Sequence, residues 1–148
     1  MGISEFKTAE TFERQDYTIL LVDDDPVICE LVRMCLDIPH YHFLEAHNSQ
    51  DALELYRQHH QEIDLALLDV MLPNVTGVEL FHQMKEINRA VRCLFVSGSL
   101  GTLDLDALRA EGVLGFVEKP FMQDVLVRKV ANALMVVTIQ GEIGRYEG

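Results

Sequence analysis

The sequence predicts an α/β protein in which a parallel five-stranded sheet is covered by helices on both faces. Five short apolar runs alternate with five segments of helical periodicity. The runs at 19–22 and 65–68 contain no polar residue, which is typical of strands buried on both faces. Alternation at this spacing indicates right-handed βαβ units. We expect the doubly wound strand order 2-1-3-4-5, which puts the first strand beside the third.

Composition limits the classes of protein to consider. The chain has 148 residues, 49% hydrophobic and 24% charged, which are ordinary values for one globular domain. Its apolar runs are shorter than the ~20 residues of a membrane helix, and no signal peptide is expected. The net charge of −12, without a cluster of Lys or Arg, argues against direct nucleic-acid binding and favours a basic partner or a bound cation.

The cysteines indicate a compartment. Cys29, Cys35 and Cys93 are odd in number and form no CxxC pair. We interpret them as small core residues of a protein in the reducing cytoplasm.

The first strand, expected at 17–22, leads into a capped helix. Asp25 is the predicted N-cap and Pro26 the first helical residue, which is a favoured arrangement. An apolar stripe at helical spacing continues towards Pro39, which is expected to close the helix.

A second strand is predicted at 41–46, and Asn48 begins a second helix with Asp51 in a partial capping box. The third strand ends at Asp69. The remaining elements are expected at 78–87 (helix), 91–96 (strand), 103–112 (helix, with Gly112 as C-cap), 113–117 (strand) and 121–134 (helix).

Three segments are expected along the chain. The folded domain is predicted at 17–134. Residues 1–16 are polar and weakly patterned, as in an N-terminal extension or a remnant of cloning. Residues 135–148 continue the last helix or begin a linker.

Polar residues follow four of the five strands. Because carboxyl ends of parallel strands meet at one edge of the sheet, we expect these side chains to face one crevice. The residues are Asp23, Asp24 and Asp25 after the first strand, Asp69 after the third, Ser97 at the fourth and Lys119 after the fifth.

This set suits phosphoryl chemistry. Clustered carboxylates repel one another unless a cation joins them, and Mg²⁺ takes oxygen ligands of this kind. A carboxylate beside such an ion can attack phosphorus and form an acyl phosphate. Lys119 would neutralise one phosphoryl oxygen and Ser97 would donate a hydrogen bond to another. Asp25 is better explained as the helix cap.

These residues stand in motifs that resemble the response-regulator receiver domain of two-component signal transduction, over about 17–134. Segment 21–26 matches the acidic pair of that family through Asp23 and Asp24. Segment 67–73, with Gly77 eight residues beyond Asp69, matches the phosphoacceptor region. Two later segments match as well: 95–98 carries the fourth-strand hydroxyl at Ser97, and 115–121 carries the switch aromatic Phe116 and the pair Lys119-Pro120.

The resemblance implies a flavodoxin-like fold and a phosphorylation switch. A histidine kinase or a histidine phosphotransfer protein would pass its phosphoryl group to Asp69. Mg²⁺ would be held by Asp24, Asp69 and the backbone carbonyl of Met71, with Asp23 helping through water. The domain would catalyse only its own phosphotransfer and its slow autodephosphorylation.

The resemblance also implies a mechanism of output. Ser97 and Phe116 would move together and reshape the surface made by the fourth helix, fifth strand and fifth helix, which is also a candidate dimer interface. The output partner is not named by the sequence. Met71 and Ser99 would flank the path of the hydrolytic water, and neither orients water well. Lys119-Pro120 is expected to be cis.

Two alternatives remain at this point. Asp23-x-Asp25 resembles the nucleophile motif of haloacid-dehalogenase-type phosphatases, but those enzymes need a late acidic pair where this chain offers Ser97 and Lys119. A receiver-like interaction module that never takes phosphate is the second alternative. The intact set of acidic, hydroxyl and lysine residues speaks against it.

Histidines form two close pairs, His40 with His42 and His59 with His60. Two metal ligands on one strand would be spaced as His40 and His42 are, with one residue between them. Since no Cys or carboxylate stands at ligand spacing in the sequence, we expect surface residues at the ends of elements.

Overall fold

The computed structural model describes residues 16–147, with side chains from Asp16 to Met135. The predicted N-terminal extension therefore lies outside the described residues, apart from Asp16. No helix of the described part has the length and apolarity needed to cross a membrane.

The predicted fold is confirmed: five parallel strands pair in the order β2-β1-β3-β4-β5. The strands are β1 (Tyr17–Val22), β2 (Tyr41–Ala46), β3 (Leu65–Leu68), β4 (Cys93–Ser97) and β5 (Gly115–Glu118). The helices are α1 (Pro26–Cys35), α2 (Ser49–His59), α3 (Gly77–Ile87), α4 (Leu105–Ala110) and α5 (Gln123–Glu147).

Each face of the sheet has its own apolar core, because successive strand residues point to opposite faces. Ile19 and Leu21 pack on the face covered by α1 and α5, whose contributions include Val32 and Leu126. The other face packs against α2, α3 and α4, with a core that includes Leu20, Val22, Tyr56, Phe81 and Leu108. All four residues of β3 are buried, which fits its central position.

The predicted starts of α1 and α2 are confirmed by their caps. The Asp25 carboxylate accepts a hydrogen bond from the Val27 amide at 3.0 Å. Asn48 accepts from the Asp51 amide at 2.7 Å, and its side-chain amide donates to the Asp51 carboxylate at 2.9 Å. The contacts to the Val27 and Asp51 amides each satisfy a backbone donor that the first helical turn leaves free.

Several predicted boundaries were wrong. α1 ends at Cys35 rather than near Pro39, because Leu36 leaves helical geometry with a φ of −103° and a ψ of 28°. β4 begins at Cys93, since the Val91 amide bonds to Asn88 O in a turn at 3.1 Å.

The segment around α4 differs most from expectation. The predicted helix at 103–112 is a 3-10 turn (Leu100–Thr102) followed by the short α4. Gly112 takes a φ of 112°, as a C-cap glycine does, and the next amide, of Val113, returns to Leu108 O at 3.0 Å. That turn delays β5 to Gly115. At the other end, α5 begins at Gln123 rather than 121 and continues to Glu147.

Candidate functional site

The sheet brings the predicted polar residues to one edge. The Asp69 amide donates to Val22 O at 2.9 Å, and the Lys119 amide donates to Ser97 O at 3.0 Å. These bonds extend the strand pairing by one residue. The four strand ends that carry the predicted residues therefore lie side by side at the edge that the strand order predicts.

Lys119 joins two buried carboxylates. Its Nζ lies 2.5 Å from Asp23 Oδ2 and 3.2 Å from Asp69 Oδ2. Asp23 and Asp69 are each only 6% exposed. Lys119-Pro120 is cis, as predicted. The structure thus places the predicted lysine against the predicted nucleophile and one of the predicted metal ligands.

The formal charges of Lys119, Asp23 and Asp69 do not balance. Burial raises the pKa of Asp23, although the hydrogen bond from Lys119 acts in the opposite direction. Burial also acts to lower the pKa of Lys119, but the hydrogen bond and charge of Asp23, with the charge of Asp69, outweigh it and raise that pKa. One ammonium for two buried carboxylates leaves excess negative charge, which a bound cation would relieve.

The donor set fits a magnesium ion. One carboxylate oxygen from each of Asp23, Asp24 and Asp69 lies within 4.8 Å of the other two. Asp24 is exposed and can move towards an ion. Hard carboxylate oxygens, with room on the solvent side for water, are what Mg²⁺ prefers. The Met71 amide donates to Asp69 Oδ1 at 3.1 Å, which keeps this stretch of backbone beside the site.

Asp25 stands apart from these carboxylates. It is exposed and caps α1, while its amide donates to Asp23 Oδ1 at 2.9 Å. This confirms the interpretation of Asp25 as a cap. In a dehalogenase-type site, Asp25 would instead act beside Asp23, which here is engaged by Lys119.

Ser97 and Phe116 lie on neighbouring strands. Ser97 is fully buried, and its hydroxyl accepts from the Ser99 amide at 3.2 Å. Phe116 is directly opposite Phe95 in the β4–β5 register, and their rings stack at 6.2 Å. Phe116 is 5% exposed, so its ring packs inward.

Two cations flank Phe116, and sequence reasoning missed both. The Arg109 guanidinium from α4 lies 5.1 Å from the centre of its ring. Lys129 Nζ from α5 donates to its carbonyl oxygen at 2.5 Å. Both are helical surface residues in the sequence pattern, so only the packing of α4 and α5 against β5 shows the contact.

Gly77 has a role that its spacing alone did not explain. A Cβ added there would lie 2.1 Å from the backbone oxygen of Asp69. The Gly77 amide donates to Val70 O at 2.8 Å. Glycine therefore lets the start of α3 approach the loop that carries Asp69.

The first histidine pair is exposed, as predicted, but has a partner that the sequence did not reveal. His40 Nδ1 and His42 Nε2 lie 3.1 and 3.3 Å from Asp16 Oδ1. The pairing of β1 with β2 brings this distant carboxylate to them. The hydrogen bond with His42, and then the one with His40, lowers the pKa of Asp16.

Comparison with known proteins agrees with this fold. The family model described as the response regulator receiver domain matches residues 19–131. The chain therefore belongs to the response regulator receiver family, whose members are phosphorylation-regulated switches of two-component signalling.

Its relatives are longer proteins of several kinds. It is 31% identical over 115 residues to the probable transcriptional regulatory protein TcrX of Mycobacterium tuberculosis, covering 77% of this chain and 48% of that protein. It is 30% identical over 117 residues to a cyclic di-GMP phosphodiesterase of Thermotoga maritima, covering 79% of this chain and 31% of that protein. The chain thus spans about half or less of these relatives.

Solved structures share the fold. A receiver domain protein from Clostridium thermocellum superimposes with a TM-score of 0.76 at 21% identity, over 84% of this chain and 98% of that one. NtrX from Brucella abortus gives a TM-score of 0.77 at 26% identity, over 88% of this chain and 30% of that one.

Proposed function

We propose that Asp69 accepts a phosphoryl group from the phosphohistidine of a histidine kinase or a histidine phosphotransfer protein. The observation that carries the proposal is the Lys119 ammonium held against the buried carboxylates of Asp69 and Asp23. An ammonium in this position neutralises charge that develops on a phosphoryl group beside Asp69.

The chemistry needs one attacking and one leaving group. An Asp69 carboxylate oxygen attacks phosphorus, the P–N bond to the donor imidazole breaks, and an acyl phosphate forms. Lys119 balances charge on one phosphoryl oxygen, and the Ser97 hydroxyl donates to another. Mg²⁺, held by Asp23, Asp24, Asp69 and the Met71 carbonyl, supplies further neutralisation of the phosphoryl oxygens when bound.

The signal leaves through the face made by α4, β5 and α5. When Ser97 turns to the phosphoryl group, we infer that Phe116 on the neighbouring strand changes its packing against Phe95. Arg109 and Lys129 connect that aromatic residue to α4 and α5, so a shift of Phe116 changes both helices. This is a two-state element biased by a local charge.

Partners follow from charge and packing. A net charge of −12 favours a protein partner over direct contact with nucleic acid, and the output partner or a second copy would use the α4–β5–α5 face. Two buried free thiols, Cys29 and Cys93, support a cytoplasmic location.

The first prediction tests the acceptor. Incubation with acetyl phosphate and Mg²⁺ should add one phosphoryl group, measured by intact mass, and Asp69→Asn should abolish the gain. Asp69→Asn also tests the dehalogenase-type alternative, since that enzyme would carry the phosphoryl group on Asp23 and would keep the gain in mass. If Asp69→Asn gained the phosphoryl group at the same rate as the parent, Asp69 would not be the acceptor.

The second prediction concerns the metal. Mg²⁺ should bind before phosphorylation because it relieves carboxylate repulsion, with modest affinity because the ion keeps several waters. Asp24→Ala should weaken binding in a calorimetric titration, whereas Asp25→Ala, which removes a neighbouring exposed cap, should change it little. Equal Mg²⁺ binding by Asp24→Ala and the parent would exclude Asp24 from the site.

A further inference from the structure

A second cluster of potential metal ligands lies beside the phosphoacceptor site and shares no side chain with it. Cys29 Sγ, a carboxylate oxygen of Glu45 and a ring nitrogen of His47 are within 4.8 Å of one another. Glu45 belongs to β2 and His47 follows two residues later, so both side chains leave the same face of the strand. Cys29 reaches them from α1, which packs on that face.

Contacts around Glu45 orient the cluster. The His47 Nε2 atom is hydrogen-bonded to Glu45 Oε2. The other oxygen, Glu45 Oε1, lies 3.3 Å from Arg33 Nε on the same helix as Cys29. In metal sites, a ligating carboxylate is commonly held in this way by an outer hydrogen bond, which aims its other oxygen at the ion.

The donor types identify the metal. Thiolate sulfur, imidazole nitrogen and carboxylate oxygen are the ligands of protein-bound zinc, and three protein ligands leave a fourth position for water. Magnesium, in contrast, selects oxygen. We propose that Cys29, Glu45 and His47 form a Zn²⁺ site distinct from the magnesium site of the phosphoacceptor crevice. On binding, the Cys29 proton passes to solvent, and the ion replaces the hydrogen bond between His47 and Glu45.

Burial keeps the Cys29 thiol protonated unless a metal ion binds to its sulfur. Burial, with smaller contributions from the charges of Glu45 and Asp23, raises the pKa of the Cys29 thiol to about 12. Cys29 is therefore a neutral thiol at ordinary pH, and its Sγ donates weakly to Asp23 O at 3.8 Å. A divalent ion stabilises the thiolate directly, which overcomes this cost.

A different explanation for the cluster is a purely structural one. Arg33, Glu45 and His47 would then form an ion-paired surface group that joins α1 to β2, and Cys29 would be a core residue. The positive charge of Arg33 also opposes a cation. The two explanations differ in whether sulfur ever binds a metal ion, which can be measured directly.

The experiment is a titration of the 148-residue chain with Co²⁺, a spectroscopic substitute for Zn²⁺. Excess Mg²⁺ occupies the acidic site, and a phosphine reductant keeps the thiols reduced without adding new ones. We expect one equivalent of Co²⁺ to bind with a near-ultraviolet thiolate-to-cobalt charge-transfer band, and Zn²⁺ to displace it.

Variants assign the ligands. Cys29→Ser should remove the band, whereas the matched Cys35→Ser should keep it. His47→Ala should weaken Zn²⁺ binding by about 10–100-fold or more, since loss of outer-shell partners alone costs that much. His47 is exposed, so this variant stays informative even if Cys29→Ser fails to fold.

Three results would overturn the site. The parent could show no charge-transfer band. The band could survive in Cys29→Ser. Zn²⁺ binding could be lost in His42→Ala or Asp24→Ala but not in His47→Ala, which would place the ion on the exposed His40–His42 pair or in the acidic crevice.

Discussion

At the scale of single residues, Lys119 links the two buried carboxylates of the proposed phosphoacceptor site. Its Nζ contacts Asp23 at 2.5 Å and Asp69 at 3.2 Å. The shorter contact is to Asp23, so Lys119 can keep that partner while its weaker contact to Asp69 gives way to a phosphoryl oxygen. In the proposed mechanism, the ammonium would therefore offset part of the negative charge in the crevice both before and after phosphorylation.

The third prediction concerns the lifetime of the phosphorylated state. Hydrolysis needs a water in line with phosphorus and held by a polar neighbour. Met71, two residues past Asp69, is 60% exposed and cannot orient water. Met71→Asn should therefore speed phosphate loss several-fold, below the ~10²–10⁴ of a positioned general base.

The measurement is decay of the phosphorylated mass after the donor is removed by desalting. Met34→Asn, which changes an exposed methionine on α1, is the control and should leave the lifetime unchanged. Equal lifetimes for Met71→Asn and the parent would show that Met71 does not limit access of water.

The sequence identified the polar residues at the strand ends as site candidates. It did not identify residues that come together only when the helices pack against the sheet. The Asp, Ser and Lys at strand ends were identifiable because each follows an apolar run. Arg109 and the Cys29–Glu45–His47 cluster were not, because their contacts depend on how helices pack against the sheet. Cys29 was predicted as a core residue, and its burial is confirmed.

At the scale of secondary structure elements, the existence of the five strands and the starts of α1 and α2 were predictable because hydrophobic patterns and caps are local signals. The region of α4 was not, since two short turns replace one helix and Gly112 takes a φ of 112°. A periodic pattern of leucines does not distinguish a six-residue helix from a longer one. The shortness of α4 leaves few local bonds to hold it.

The fourth prediction tests the approach of α3 to the Asp69 loop. Gly77→Ala would place a Cβ 2.1 Å from the Asp69 backbone oxygen, and backbone cannot yield as a flexible side chain can. We expect destabilisation of about 1–3 kcal/mol, the usual cost of overpacking. The displaced Asp69 should also be phosphorylated more slowly.

Urea unfolding measures the first effect, and intact mass after acetyl phosphate measures the second. Gly101→Ala is the matched control, because nothing lies within 4 Å of a Cβ at that position. Its free energy of unfolding should change by less than about 0.5 kcal/mol. A Gly77→Ala protein as stable as Gly101→Ala would contradict the proposed role of the glycine.

At the scale of the whole molecule, the division into three segments remains a prediction, while the helical backbone to Glu147 shows that residues beyond 134 continue α5. The net charge of −12 makes carboxylates the main source of pH dependence. Those of the crevice belong to the proposed phosphoacceptor and Mg²⁺ sites. Asp64 precedes β3 at the opposite end of the strand, and we expect its protonation to act on stability.

Asp64 joins β1 to β3 through a reciprocal pair of hydrogen bonds. Its carboxylate accepts from the Thr18 amide at 2.9 Å, and its own amide donates to Thr18 O at 2.8 Å. Burial raises the pKa of Asp64, although the Thr18 hydrogen bond acts in the opposite direction. Between the pKa of the unfolded chain and that of the folded protein, the folded state binds more protons, so stability falls as pH rises through this window.

The fifth prediction follows from that sign. Asp64→Asn keeps an oxygen that can accept from Thr18 but carries no charge, so at neutral pH the variant should be more stable than the parent. The advantage should shrink as pH falls through the folded-state pKa of Asp64, because the parent carboxyl group is then neutral as well. Urea unfolding from pH 7 down to about pH 3.5, near the ordinary Asp pKa, measures it. Asp37→Asn removes the same charge from an exposed site and should show little change. The prediction fails if, at pH 7, Asp64→Asn is no more stable than the parent or gains no more stability than Asp37→Asn does. That result would mean that the hydrogen bond from Thr18 compensates fully for the buried charge.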